Sequence, residues 1–248
     1  MTRWHEKLYN SKSASKTINS TRYKKLAQSD VKELISLLNL DGTENILDAP
    51  SGTARHVTEF SKRGYTITGI DINPELLKIG KSLPQNKKIK LIRRNLNNLT
   101  PFKRKFDVTL NLFTSIGYFE TDKKNEAVIK QLFNTLKPGG RLVVDTINGA
   151  RLLNNFSPRS WVENKNFIMG EVRNYDKKTR YNEAIQFFVD LKDGSVDSHY
   201  HRIRIYRATE LVRILKKCGA KTVKTYSDFK GTPFNAKESM RMVLVATI

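Results

Sequence analysis

The chain has 248 residues, 38% apolar and 28% charged, with 45 Lys and Arg against 24 Asp and Glu for a net charge of +21. That size buries one core with room for a subdomain, and the composition excludes a disordered chain. No apolar run approaches a membrane span, the start MTRWHEKLYN lacks the apolar stretch of a secretory signal, and the single Cys218 excludes a disulfide framework, so a reducing cytoplasm is the expected compartment.

Residues 1–27 are basic and Ser/Thr-rich with Glu6 as their one acid, which faintly resembles a transit peptide; Trp4, Tyr9 and Tyr23 suit an ordered segment equally. Val31, Leu34, Ile35, Leu37 and Leu38 then follow helical spacing after a Ser29 or Asp30 cap. A short strand, Asn45 to Ala49, enters a turn, and a helix runs from about Ala54 to Lys62 until Arg63-Gly64 stops it. Tyr65 to Ile70 alternates and is β-branched, so it predicts a strand, with Asp71 directly after it. Pro74 opens the next helix, a first-turn position that suits its fixed φ. Ile89–Ile92 and Phe106–Leu112 predict two more strands, and a helix from about Asp122 to Leu136 carries Val128, Ile129, Leu132, Phe133 and Leu136 on one side. Pro138-Gly139-Gly140 ends that helix, and Arg141–Ile147 predicts a buried strand. Strands alternating with helices imply a parallel sheet covered on both faces.

The rhythm then changes. From about Trp161 to Tyr206 the pattern predicts three long strands without helices between them, turning at 176–179 and 192–195, the second a strong hairpin signal. A helix at about Thr209–Lys217 ends at Gly219, and Lys221–Tyr226 and Met242–Ile248 predict a closing antiparallel pair.

The charge is uneven. From Leu76 to Phe106 there are ten basic residues and no acid, among them Lys87, Lys88, Lys90, Arg93, Arg94, Lys103, Arg104 and Lys105. Such a stripe can neutralise phosphates, although Phe102 and Phe106 alone supply aromatic faces for stacking bases.

The turn in ILDAPSGTARHV carries the functional signal. Its strand ends at Asp48, and the second strand ends at Asp71, 23 positions later. Ligands of open α/β sheets sit beyond the carboxyl ends of the strands, and an acid at that distance accepts from ribose hydroxyls. A dinucleotide needs G-x-G-x-x-G for close approach to its pyrophosphate. Here only Gly52 is a glycine, and Pro50 removes an N–H donor. S-adenosylmethionine carries no phosphate, and Asp48, Gly52 and Asp71 can meet its amino group, backbone passage and ribose.

On these residues the chain resembles the class I S-adenosylmethionine-dependent methyltransferases, from about Val31 to the carboxyl terminus. ILDAPSGTARHV is similar to the family's first motif, in a branch that reads DxPCGxGRH, with Ser51 and Ala54 departing from it. The resemblance puts Asp48, Ala49, Pro50, Ser51 and Gly52 on the cofactor loop. In GIDINPELL it makes Asp71 the ribose ligand, with Ile72 beside the adenine. RRNLNNL brings Asn95 and Leu96 to the adenine, and LNLFTSIGYF brings Leu112 and Phe113 to the cofactor with Tyr118 on the substrate side. LKPGGRLVVD is similar to the family's helix end and fifth strand, and DFKGTPFNAKESMRMVLVA to the branch's DFDGSPF and R-M-V-L-V-A. The implied fold is α/β and Rossmann-like: a seven-stranded, mostly parallel sheet with an antiparallel last strand and a β-rich insertion. Residues 28–150 and 207–248 would form the core, and 151–206 the insertion that caps the cofactor and helps build the substrate pocket.

The implied chemistry is in-line transfer of a sulfonium methyl to an N, O or C atom, with S-adenosylhomocysteine as product, accelerated by proximity and exclusion of water. No metal is required. His199 and His201 share one face of a strand, and His201 and Tyr118 are the candidate catalytic residues. Arg151, Trp161, Tyr206 and Asp228 are candidate substrate residues; Arg159, Arg202 and Arg204 are further candidates for an anionic or planar acceptor, and His56 is expected to pack at the start of its helix. A small-molecule acceptor is the leading expectation, with an RNA methyltransferase using the basic 76–106 surface and a non-catalytic S-adenosylmethionine-binding protein as the alternatives.

Overall fold

A computed structural model of the chain describes residues 21–83, 88–163 and 165–248, the side chains of 21–24 excepted. The expectations on Trp4, Tyr9 and the side chain of Tyr23, and on Lys87 of the basic stripe, lie outside the described residues.

In chain order the core comprises α1 (Thr21–Leu37), β1 (Asn45–Asp48), α2 (Arg55–Lys62), β2 (Thr66–Asp71), α3 (Pro74–Ser82), β3 (Ile89–Arg93), a 3-10 turn (Thr100–Phe102), β4 (Phe106–Asn111), α4 (Asp122–Asn134), β5 (Leu136–Ile147) and α5 (Gly149–Asn154). The insertion comprises β6 (Arg159–Glu163), β7 (Phe167–Asp176), β8 (Tyr181–Asp190) and β9 (Val196–Arg204); α6 (Ala208–Lys217), β10 (Thr222–Tyr226) and β11 (Arg241–Thr247) complete the core. Seven strands form one sheet in the order β10-β11-β5-β4-β1-β2-β3. β11 runs antiparallel to both β5 and β10, and the other pairs are parallel.

Strand alternation divides the core. On β5, Leu142 and Val144 join Leu132, Phe133, Leu211 and Leu215 of α4 and α6, whereas Val143 joins Val31, Leu34, Val57 and Phe60 of α1 and α2 on the other face. The chain steps outward from β1 to β2 and β3, then returns to lay β4 on the opposite side of β1. The tips of β1, β2 and β4 therefore flank a topological switch point, where the connections diverge and leave a crevice.

The second sheet has four antiparallel strands, β6-β7-β8-β9, and not the three expected. The added strand β6 has the burial pattern of an edge, almost wholly exposed, so it carries little apolar alternation by which sequence could separate it from β7. The strand expected from Arg141 begins at Leu136, because Leu136 already pairs with Phe106 across a bulge. The insertion is bolted to the loop after β4. Tyr181 donates its hydroxyl to Phe119 O at 2.6 Å and accepts from Asn125 Nδ2 at 3.0 Å. Arg204 donates its backbone N–H to Gly117 O at 2.9 Å. Its fully buried guanidinium pairs with Asp122 and Glu210. Among the described residues no helix is long and apolar enough to cross a membrane.

Candidate functional site

The turn after β1 is built by backbone bonds to both neighbouring strands. Ala49 donates to Leu110 O at 2.9 Å and Ser51 to Ile70 O at 2.8 Å. The Gly52 N–H then reaches Asp71 Oδ2 at 2.8 Å, while Asn73 N–H donates to Asp71 Oδ1 at 2.8 Å. Gly52 has φ +54°, and Ala54, which precedes α2, is also left-handed at φ +57°. Alanine thus takes a backbone conformation that glycine adopts more freely, so the turn forms with Gly52 as its one glycine. The methyl group is buried against α3: a Cβ added at Gly80 would lie 2.9 Å from Ala54 Cβ.

Three polar groups converge on the strand tips. Asp48 is buried, and among the described residues none donates a hydrogen bond to its carboxylate. Burial pushes its pKa up to about 8; the nearby Asp71 charge adds to the rise and Arg55 opposes it. Asp71 is also pushed upward by burial, against the N–H groups of Asn73 and Gly52. Asn111, at the tip of β4, donates Nδ2 to Ala49 O at 2.7 Å, and its buried Oδ1 has no partner among the described residues. Two buried acids and an orphaned amide oxygen suit a ligand bearing an ammonium group and vicinal hydroxyls. Carboxylates in that position suit a pyrophosphate poorly, since it needs donors. The acceptor set therefore fits S-adenosylmethionine.

The remaining cofactor candidates follow the ends of β2, β3 and β4 in the chain. Ile72, Asn95 and Leu96 are half-buried beyond β2 and β3. Asn95 Oδ1 accepts from Asn97 N–H at 2.9 Å, so it also closes its own turn. Leu112 is buried and Phe113 half-buried after β4. His56 lies within 3.3 Å of Asp30 and its ring centroid within 5.5 Å of Phe113; burial, against the pull of Asp30, lowers its pKa, which fits the expected packing role.

The substrate candidates separate. His201 lies 3.2 Å from Glu171, which also pairs with Arg173 at 2.6 Å. Burial works to raise the Glu171 pKa, but His201 and Arg173 outweigh it and hold the carboxylate low. His199 lies 3.2 Å from Gln186 on the same face. Trp161 is the correction: the register aligns it with Gly170, Phe187 and Ser198, on the face opposite His201, and it is 73% exposed. The two cannot line one pocket, because alternate residues of a strand point to opposite faces. Asp228 accepts from Lys230 and Thr232 N–H at 3.0 and 3.1 Å, closing its own turn rather than facing an acceptor. Tyr206 is buried, its hydroxyl has no partner among the described residues, and burial raises its pKa. Tyr118 and Arg151 are half-buried, on the loop after β4 and on α5, and Arg159 is exposed. Arg202 stacks 3.6 Å over Tyr181 and pairs with Glu183, so it and Arg204 are held by neighbouring side chains.

Asn111, Asp145 and Arg241 went unnoticed in the sequence. Asp145 had a signal: it is a lone acid inside the apolar run RLVVDTI. Among the described residues no group of three or more His, Cys, Asp or Glu is arranged to hold a metal.

Residues 46–140 match the methyltransferase domain family. A putative methyltransferase, YqeM of Bacillus subtilis, is 24% identical over 77% of this chain and 79% of its own. The CcbJ methyltransferase of Streptomyces caelestis superposes with a TM-score of 0.79 at 19% identity, covering 88% of each chain. The structure of S-adenosylmethionine-bound CalS10, an amino pentose methyltransferase from Micromonospora echinaspora, superposes with a TM-score of 0.67 at 17% identity, covering 95% of this chain and 94% of that one.

Proposed function

We propose that the chain is a class I S-adenosylmethionine-dependent methyltransferase that methylates a small polar molecule enclosed between the strand tips and the insertion, a reading supported by the match of residues 46–140 to the methyltransferase domain family. S-adenosylmethionine supplies an electrophilic methyl group on a sulfonium, which leaves as a neutral thioether. Asp48 holds the ammonium group, within the loop Asp48–Gly52. Asp71 takes the ribose hydroxyls on its remaining lone pairs, its orientation set by Gly52 and Asn73. Ile72, Asn95 and Leu96 flank the adenine, with Leu112 and Phe113 beside the cofactor. Most of the acceleration comes from alignment and exclusion of water. Tyr118 orients the acceptor, and His201, steadied by Glu171, takes its proton where the acceptor carries one. Arg151 and Tyr206 complete the acceptor side.

The observation that carries the small-molecule acceptor is the inner face of the insertion. Asn182, Ala184, Phe188 and His199 are buried there, and Asn182 Oδ1 and His199 Nδ1 have no partner among the described residues. Buried, unpartnered polar atoms on that face suit a small hydroxylated or amino-bearing molecule better than a polymer strand, which needs an open channel. The amino pentose specificity of CalS10 agrees with an acceptor of that class. The competing RNA reading draws on exposed Lys78, Lys81, Lys88, Lys90 and Arg93, which flank or lie on the edge strand β3.

Labelled S-adenosylmethionine offered with amino sugars and low-mass metabolites, and separately with total small RNA, tests this. Label in the low-mass fraction is expected. Label in RNA alone overturns the small-molecule acceptor, and bound cofactor with no labelled fraction overturns catalysis.

A further inference from the structure

We infer that Asp145 and Arg241 are positioning residues: their ion pair fixes the left-handed backbone at Phe113–Thr114 and so sets where the Phe113 ring meets the cofactor. The last clause rests on the cofactor site proposed above.

Asp145 is a nearly fully buried acid on β5, directly after the buried apolar run Leu142-Val143-Val144. A carboxylate there must be paired to remain charged. Its partner comes from the other end of the sequence. Arg241 Nε donates to Asp145 Oδ1 at 2.8 Å, and a second guanidinium nitrogen donates to Oδ2, a bidentate pair between β11 and β5. Oδ2 also accepts the Phe113 N–H at 2.8 Å, and the Asp145 backbone carbonyl accepts the Thr114 N–H at 2.9 Å. One residue thus holds two consecutive amides of the loop after β4.

Those amides belong to residues in an unusual conformation. Phe113 and Thr114 have φ +57° and +56°. Two adjacent side-chain-bearing residues, one β-branched, hold that region only where their surroundings over-determine it. The rings supply the rest. The Arg241 guanidinium carbon lies 5.3 Å from the Phe113 centroid and 4.7 Å from that of Phe229, and Arg55 lies 4.3 Å from Phe113. Phe229 is fully buried and follows Asp228, whose carboxylate ties down the same loop. The carboxyl-terminal stretch SDFKGTPF through Arg241 therefore reaches the cofactor crevice through a stack: Phe229, Arg241, Phe113.

Calorimetry with S-adenosylhomocysteine, on wild type, Asp145→Asn, Arg241→Met and Arg241→Lys, tests this well below each protein's melting temperature. Asp145→Asn and Arg241→Met are expected to lose about tenfold or more in affinity, since small misplacements of a binding group carry large penalties. Arg241→Lys keeps the charge without the bidentate fork or the flat stack, and is expected to fall between them and wild type. In a Phe113→Ala background the Arg241→Met loss is expected to shrink, because the two residues act through one ring. A purely structural role would lower melting temperatures and leave the affinity of the folded protein unchanged. Affinities of every folded variant within about twofold of wild type, or an undiminished Arg241→Met loss without Phe113, overturn the positioning role. Absence of binding by wild type overturns the cofactor site itself and this inference with it.

Discussion

The carboxylate of Asp71 accepts the backbone N–H of Gly52 at 2.8 Å, joining the turn after β1 to the tip of β2. The residue proposed to hold the ribose is therefore also the one that shapes the turn proposed to pass beside the cofactor. Asp71→Ala is expected to weaken S-adenosylhomocysteine binding by about a hundredfold or more, since hydrogen bonds to a charged group contribute about 1.5–3 kcal/mol each. Without ligand it is expected to lower stability as well, because two turn amides lose their acceptor. Calorimetry and urea unfolding on the same variant separate the two effects.

Asp48 gives a pH dependence. Its pKa in the folded protein is pushed up to about 8 by burial, whereas an unfolded aspartate titrates near ~3.9. Between those values the folded state holds a proton that the unfolded state has released, so this group's contribution makes stability fall as pH rises through the window and level off above it. Asp48→Asn is expected to stabilise the ligand-free protein at pH near ~8 by on the order of several kcal/mol and to leave it little changed at pH near ~4. The same charge logic expects a proton to leave when a cationic amine binds near neutral pH. Titrations in buffers of different ionisation heat read that release directly.

Gly117 sits where the insertion meets the loop that carries Tyr118. Its φ is +96°, and an added Cβ would lie 2.6 Å from the Arg204 carbonyl oxygen, which is backbone and cannot swing aside. Gly117→Ala is expected to cost about 2 kcal/mol or more. A melting curve against wild type checks it; an unchanged midpoint would mean that β9 does not press on this loop.

The two arginines that end β9 should behave differently. Arg204 is fully buried between Glu210 and Asp122, while Arg202 is partly exposed over Tyr181. Burial works against the charge of Arg204, but the two acids outweigh it and raise its pKa. Removing one member of a buried ion cluster costs about 3–5 kcal/mol, so Arg204→Ala is expected to destabilise by that order. Arg202→Ala is expected to cost about 1 kcal/mol, the scale of exposed pairs and cation–π contacts. Equal losses in chemical denaturation would contradict the assignment of Arg204 as the bolt.

The central sheet was legible in the sequence because its strands are short apolar runs punctuated by helices, and Asp48 and Asp71 stand at their ends where the topology leaves a crevice. β6 was not, since an exposed edge strand carries almost no alternation. Trp161 was misjudged because a face cannot be chosen without the register. Arg204 was a candidate for an anionic or planar acceptor, but burial and two acids from other elements determine its role. Asp145 and Arg241 lie 96 positions apart, and only the antiparallel pairing of β5 and β11 brings them together.

The most direct measurement is a calorimetric titration of the wild-type protein with S-adenosylhomocysteine and, separately, with NADH. Two buried acids flanking a single-glycine turn are expected to give saturable heat with S-adenosylhomocysteine and none with NADH. Saturable heat with NADH and none with S-adenosylhomocysteine would contradict the account.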